Sequence, residues 1–253
     1  MLKVDHACLS FEGLKAVNDV SLEIEDGKVT ALIGPNGAGK TTLFNIIAGV
    51  YKPDSGKILF DGEDISGLKP YDICKKGITR TYQVIKLFSG MSVLDNVLVG
   101  MHTKLMGSGL IGDVFKTKKQ RVQEKAAKEK ARECLRLVGL SEYESYPSSG
   151  LAYGQQRLLE IARAMAYSPK LILLDEPAAG MNSAEKEVLN ERIREIVKLG
   201  TTVLIVEHDM SMVMSIADKI YVINSGKNLA EGKPEEIVNN PAVIEAYLGS
   251  GDI

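Results

Sequence analysis

One run constrains this chain more than any other: Gly34-Pro35-Asn36-Gly37-Ala38-Gly39-Lys40-Thr41-Thr42. It fits G-x-x-x-x-G-K-[ST], the spacing of a loop that wraps phosphate. Val29 to Ile33 before it is a short apolar run with the character of a buried strand. Leu43-Phe44-Asn45-Ile46-Ile47-Ala48-Gly49 after it has helical spacing and a glycine stop. That order is what the chemistry needs. Glycines let the backbone curl so that successive N–H groups point inward, and the helix N-terminus adds partial positive charge. Lys40 is placed to reach β- and γ-phosphates, and Thr41 to offer its hydroxyl to Mg²⁺. A glycine-rich turn fitting the pattern by accident would lack the flanking strand and helix. The run implies a chain that binds a nucleoside triphosphate.

The remainder is compatible with a substantial α/β core. The chain has 253 residues, 45% hydrophobic and 25% charged, an ordinary globular composition. A formal charge of −2 leaves no broad basic face, so nucleic acid is not an expected partner. Cys8, Cys74 and Cys134 are far apart and odd in number, which fits reduced thiols acting as small buried hydrophobes. Met1-Leu2-Lys3-Val4-Asp5-His6 lacks the apolar run of a signal peptide. No stretch approaches the ~20 apolar residues of a membrane span, so contact with a membrane is expected only through a partner.

Leu2 to Phe11 and Val20 to Glu25 read as antiparallel strands, Lys57 to Phe60 as another, and Ile78 to Gln83 as a strand ending at Gln83. From Val84 to about Arg163 the β-branched runs thin out. Lys118 to Val138 has Val122, Ala126, Ala127, Ala131, Leu135 and Val138 at helical spacing, its charges reading as a solvated face or, less simply, a docking surface. Residues 84–163 are therefore expected to form a helical subdomain inserted into a core made of 1–83 and 164–253. Gly107 to Gly112 spells G-x-G-x-x-G without a preceding strand and reads as a loop, not a dinucleotide site. Leu171-Ile172-Leu173-Leu174-Asp175 and Thr201 to Val206 are continuous apolar runs suited to central parallel strands. Ala184 to Leu199 is an amphipathic helix, Ile220 to Ile223 a further strand, and Pro234 to Leu248 two short helices.

Asp175 at a strand tip can hold Mg²⁺, while Glu176, one residue on and pointing elsewhere, can polarise a water. A lone Asp-Glu pair is usually surface charge; here four apolar residues precede it and a phosphate loop exists. His208 follows an equally apolar strand and can hydrogen-bond a γ-phosphate. Gly150-Leu151-Ala152-Tyr153-Gly154-Gln155-Gln156-Arg157 precedes a helix expected from about Gln156. It is either an ordinary helix start or a second anion site, one that cannot serve the same phosphates from the same side as Lys40.

With these residues in place the chain resembles the nucleotide-binding subunits of ABC transporters over nearly its whole length. Gly34–Thr42 resembles their Walker A loop and Leu171–Glu176 their Walker B strand with the catalytic glutamate. Gln83 resembles the Q-loop glutamine, Leu151–Gln155 the signature, Ala179–Asn182 the D-loop and His208 the switch histidine. Phe11 resembles the aromatic that stacks on adenine, although a single aromatic equally suits a core position. Two departures stand out: Ala152 and Tyr153 replace the serine and first glycine of Leu-Ser-Gly-Gly-Gln, and Asn182 stands where most of the superfamily has aspartate.

Leu-Ala-Tyr-Gly-Gln-Gln-Arg, Glu-Pro-Ala-Ala-Gly-Met-Asn, Glu-His-Asp-Met, the segment Leu94 to Gly100 and the tail Asn239 to Gly249 narrow the resemblance to ATPase subunits of branched-chain amino acid importers. The resemblance implies a P-loop NTPase core with a mainly parallel sheet, an N-terminal antiparallel β subdomain and an inserted helical subdomain. It implies ATP and Mg²⁺ as ligands, the latter held by Thr41, Gln83 and Asp175. Two cassettes are expected to associate head to tail, Lys40 of one and Leu151–Gln155 of the other gripping one ATP, peripheral to integral membrane subunits on the cytoplasmic side. The alternative is a soluble ATPase of the same superfamily acting in translation or DNA repair. A single cassette and the lack of sustained heptads after Val84 speak against it.

Overall fold

In the computed structural model, which describes residues 1–102 and 118–248, ten strands form two sheets. The run Gly107–Gly112 lies outside the described residues. Strands β1 (Leu2–Phe11), β2 (Leu14–Ile24), β4 (Ser55–Phe60) and β5 (Glu63–Asp64) make an antiparallel sheet in the order β2-β1-β4-β5. The second sheet runs β10-β9-β3-β8-β7-β6, with β3 (Val29–Ile33), β6 (Ile78–Arg80), β7 (Leu171–Asp175), β8 (Thr202–Val206) and β9 (Lys219–Asn224) parallel. Only β10 (Lys227–Gly232) is antiparallel, folding back on β9.

The central strands are mostly apolar and fully buried because both faces of the sheet are covered, and their alternate residues enter different cores. Leu171 and Leu173 pack with Leu2, Val4 and Phe60 of the antiparallel sheet and with Leu43, Phe44 and Ile47 of α1 (Lys40–Ile47). Ile172 and Leu174 face the opposite way, toward Ala131 and Leu135 of α4 (Lys118–Leu137), Leu159 of α5 (Tyr153–Met165) and Ile193 of α6 (Ser183–Lys198). The short helices α2 (Pro70–Lys76) and α3 (Val93–Val99) complete the region between β5 and α4, and α7 (Met210–Ile216), α8 (Pro234–Val238) and α9 (Pro241–Leu248) the C-terminal part. Each buried Leu, Ile or Phe contributes about 1.5–3 kcal/mol, so these layers fix where the strand tips lie.

The expected α/β architecture is present, and three boundaries differ by three residues or more. Strand β2 begins at Leu14 rather than Val20, because pairing with β1 through Ser10–Lys15 and Phe11–Leu14 holds a non-alternating segment extended. Strand β6 stops at Arg80, short of Gln83. Helix α5 starts at Tyr153, not Gln156: Gln155 Oε1 accepts from Ala152 N at 3.0 Å and Gln156 N donates to Ala152 O at 2.9 Å, closing the first turn.

Candidate nucleotide site

The phosphate loop leaves β3 at its carboxyl end and enters α1 at Lys40. Two of its glycines are enforced by the surroundings. Gly34 (φ 152°) and Gly39 (φ 101°) have backbone conformations hostile to side chains, and a Cβ would stand 2.0 Å from Ile223 O and 2.3 Å from Ala16 O respectively. The β9–β10 turn staples the loop: Gly226 N donates to Ala38 O at 2.9 Å, and Asn18 N to Gly226 O at 2.7 Å. Lys40 is buried, with its ammonium donating to Gly34 O (2.6 Å) and Pro35 O (3.0 Å).

The loop opens onto a cleft of about 720 Å³ that also receives Phe11, Gln83, Glu176 and His208. Residues distant in sequence thus converge on Asn36–Thr42. Phe11 stands at the rim, 41% exposed and edge-on to Tyr51 at 5.2 Å between ring centroids, so the core alternative for it does not hold.

Glu176 follows the last residue of β7 with φ 46°, a left-handed conformation that costs a non-glycine residue about 1 kcal/mol or more. That turn separates its carboxylate from Asp175. Glu176 Oε1 lies 2.7 Å from His208 Nε2, and Oε2 accepts from Gln83 Nε2 at 2.9 Å. Asp175 is buried; Arg80 Nη2 approaches its Oδ2 at 3.4 Å, and Oδ1 has no hydrogen-bond partner. Burial raises its carboxyl above the usual range, opposed by Arg80. Asp175 does not itself line the cleft, although the next residue, Glu176, and Thr41 do; a buried carboxylate oxygen without a donor fits a hard, oxygen-seeking divalent cation such as Mg²⁺.

Leu151–Gln155 do not line that cleft. Ala152 is the exposed N-cap of α5, Tyr153 is 45% exposed, and Gly154 is buried where a Cβ would meet Glu185 Oε1 at 2.7 Å. The Tyr153 ring sits over Gly180, whose added Cβ would come within 3.1 Å of it. Asn182 caps α6: its Oδ1 accepts from Glu185 N and Glu185 Oε2 accepts from Asn182 N, both at 3.0 Å. The amide thus does the capping work a carboxylate would do.

Sequence reading missed several contributors. Arg80 orients Asp175 and stacks over Tyr82, its charge-centre carbon 4.9 Å from the ring centroid. Glu207, buried beside His208, accepts from Ala178 N (2.7 Å) and His208 N (3.2 Å), tying the turn after Glu176 to the histidine, and burial raises its carboxyl. Its one available signal was a charge directly after the four apolar residues Val203 to Val206.

The sequence matches the ABC transporter family over residues 17–179, and the branched-chain amino acid ATP-binding cassette transporter family over 227–253. It is 47% identical over 250 residues to the high-affinity branched-chain amino acid transport ATP-binding protein LivG of Salmonella typhimurium, covering 98% of each chain. The fold superposes on the ADP conformation of an ATP-binding cassette of an ABC transporter with a TM-score of 0.87, 34% identity and 98% coverage of both chains. A dimeric bacterial ABC transporter cassette matches with a TM-score of 0.76 and 26% identity, over 92% of this chain and 99% of that one. This chain belongs to the ABC transporter family, as one of its ATP-binding cassettes.

Proposed function

We propose that the chain is the ATP-hydrolysing subunit of an importer for branched-chain amino acids, acting as a pair of cassettes on the cytoplasmic side of integral membrane subunits. The observation that carries this reading is the placement of Glu176 between His208 and Gln83 at the mouth of the phosphate-loop cleft. The substrate class follows the relatives at 46–48% identity, which are named as branched-chain amino acid transport proteins. No observation favours a role on nucleic acid.

In this reading the loop N–H groups and Lys40 hold the triphosphate, and Phe11 stacks on adenine. Glu176 takes a proton from the attacking water, oriented from one side by Gln83 and from the other by His208, which also donates to the γ-phosphate. Asp175, Thr41 and Gln83 would hold Mg²⁺, whose chemistry is to neutralise charge on the phosphate oxygens. Leu151–Gln155, lying outside the chain's own cleft, present the α5 N-terminus to the nucleotide of a second cassette. The γ-phosphate bridges the two, and its removal releases them. Exposed Tyr82, Val84 and Phe88 beside an apolar groove lined by Ile73, Val99 and Tyr167 offer the surface for the membrane subunits.

The test is Glu176→Gln. It keeps shape and hydrogen bonding but removes the base, so ATP should bind, turnover should cease, and an ATP-dependent dimer should elute on gel filtration. Hydrolysis at the parental rate would remove Glu176 from the role.

A further inference from the structure

Arg157 lies near the start of α5 and is completely out of solvent. A guanidinium taken out of water is costly unless its donors are met, and here both terminal nitrogens have partners while Nε has none. Here Nη1 donates to Tyr82 O at 2.6 Å and to Glu160 Oε2 at 2.9 Å. Nη2 donates to Gln83 O at 2.8 Å and lies 3.4 Å from the Tyr153 hydroxyl. Glu160, equally buried, accepts from Lys86 N at 3.0 Å with its other oxygen, and Arg163 Nη1 donates to Lys86 O at 2.5 Å. Three charged side chains of one helix thus hold the backbone from Tyr82 to Lys86.

The same segment looks two ways. Its main chain is clasped by α5, while the Gln83 side chain reaches out to Glu176. The helix doing the clasping begins at Ala152–Gly154, outside the chain's own cleft. Apolar residues would fill this site without the cost of desolvating charge, so packing alone does not account for the pair.

We infer that Arg157, with Glu160, is a positioning residue for hydrolysis: it locks the Gln83 loop to α5, so that the aim of Gln83 on Glu176 and the placement of the Ala152–Gly154 helix start change together. The inference rests on the reading that Gln83 and Glu176 belong to the hydrolytic site. Arg157 spreads its bonds over two nitrogens, Nη1 to Tyr82 O and Glu160 Oε2 and Nη2 to Gln83 O, a planar fork that the single nitrogen of a lysine does not reproduce.

The experiment is steady-state ATP hydrolysis by the full-length chain carrying Arg157→Met with Glu160→Met, or Arg157→Lys alone, each with and without Gln83→Ala. The paired Met variant removes both members of the buried ion pair together, and Arg163, which loses Glu160, keeps its bond to Lys86 O; thermal melting reports whether it folds, and Arg157→Lys decides the matter if it does not. The expected result is a fall in kcat of about tenfold or more, with the KM for ATP within about twofold, as displacement of a positioned group gives. Adding Gln83→Ala should then cost nothing more, because both changes disable one device. Parental kcat in a folded variant, or losses that multiply with Gln83→Ala, overturns the inference. If Gln83→Ala alone leaves kcat at the parental value, the assignment of Gln83 to the site fails first, and the inference goes with it.

Discussion

His208 Nε2 and Glu176 Oε1 stand 2.7 Å apart, joining the tips of β8 and β7 across the mouth of the phosphate-loop cleft. The contact lets the histidine orient the carboxylate, whose other oxygen is already engaged by Gln83. His208→Ala should therefore lower kcat by about 10²-fold or more, with ATP affinity changed only a few fold. Paired ATPase kinetics and equilibrium nucleotide binding check this. A loss confined to binding would mean the histidine holds ground state only.

Asp175→Asn keeps the shape of the side chain buried against Arg80 but removes its charge. The Mg²⁺ concentration for half-maximal hydrolysis should rise at least about tenfold, while nucleotide binding without Mg²⁺ should be largely unaffected. Titration of both variants with Mg²⁺ would expose a site that does not use this residue, as an unchanged midpoint.

Ala152 caps α5 without a side-chain acceptor, since Gln155 serves only the Ala152 N–H. Ala152→Ser supplies a hydroxyl to the first turn and should raise stability by about 0.5–2 kcal/mol in chemical denaturation. If this helix start also meets a second cassette's γ-phosphate, the hydroxyl adds a hydrogen bond to a charged group, worth about 1.5–3 kcal/mol. In a Glu176→Gln background the ATP-dependent dimer should then tighten by at least tenfold. Stability gained with dimer affinity unchanged would separate capping from phosphate contact.

Asp209 caps α7 through Met212 N at 3.1 Å and pairs with Lys186, and its carboxyl is held well below the ordinary range, to about 2, chiefly by that lysine and by Ser211. A depressed folded-state value means the charge stabilises the fold above the ordinary carboxylate range. The benefit fades as pH falls from about 4 through about 2. Asp209→Asn retains a capping oxygen and isolates the charge. It should cost about 1–2 kcal/mol at pH 7 in denaturant titrations, and parent and variant should converge toward pH 2. A difference that stays constant with pH would assign the loss to geometry.

What the sequence made legible was decided by how many faces of an element are buried. Strands β3, β7 and β8, covered on both sides, are mostly apolar without alternation, and the loop between β3 and α1 carries its own spacing. Strand β10, Lys-Asn-Leu-Ala-Glu-Gly, has no alternation to read; its pairing with β9 after the Ser225-Gly226 turn makes it a strand. Helix α3 is two turns long and announced only by Ser92 capping Asp95. The overlong reading of β6 has a local cause: the carbonyls of Tyr82 and Gln83, which a continuing strand would pair, are taken by Arg157. Nothing marked Arg157 and Glu160 as buried, because charged residues in an amphipathic helix read as its wet side. The functional positions at strand tips were legible for the converse reason, as polar residues directly after apolar ones.

The last core side chains within β7 and β8 are Leu174 and Val206, and Glu176 and His208, just past those strands, belong to neither hydrophobic cluster. At these two positions polar chemistry is uncoupled from packing along the axis of the strands, whereas Lys40 and Asp175 are held within the buried interior. Lineages descending from such a scaffold can exchange what stands at the tips, as Ala152 and Asn182 hint at other edges, while leaving the interior untouched.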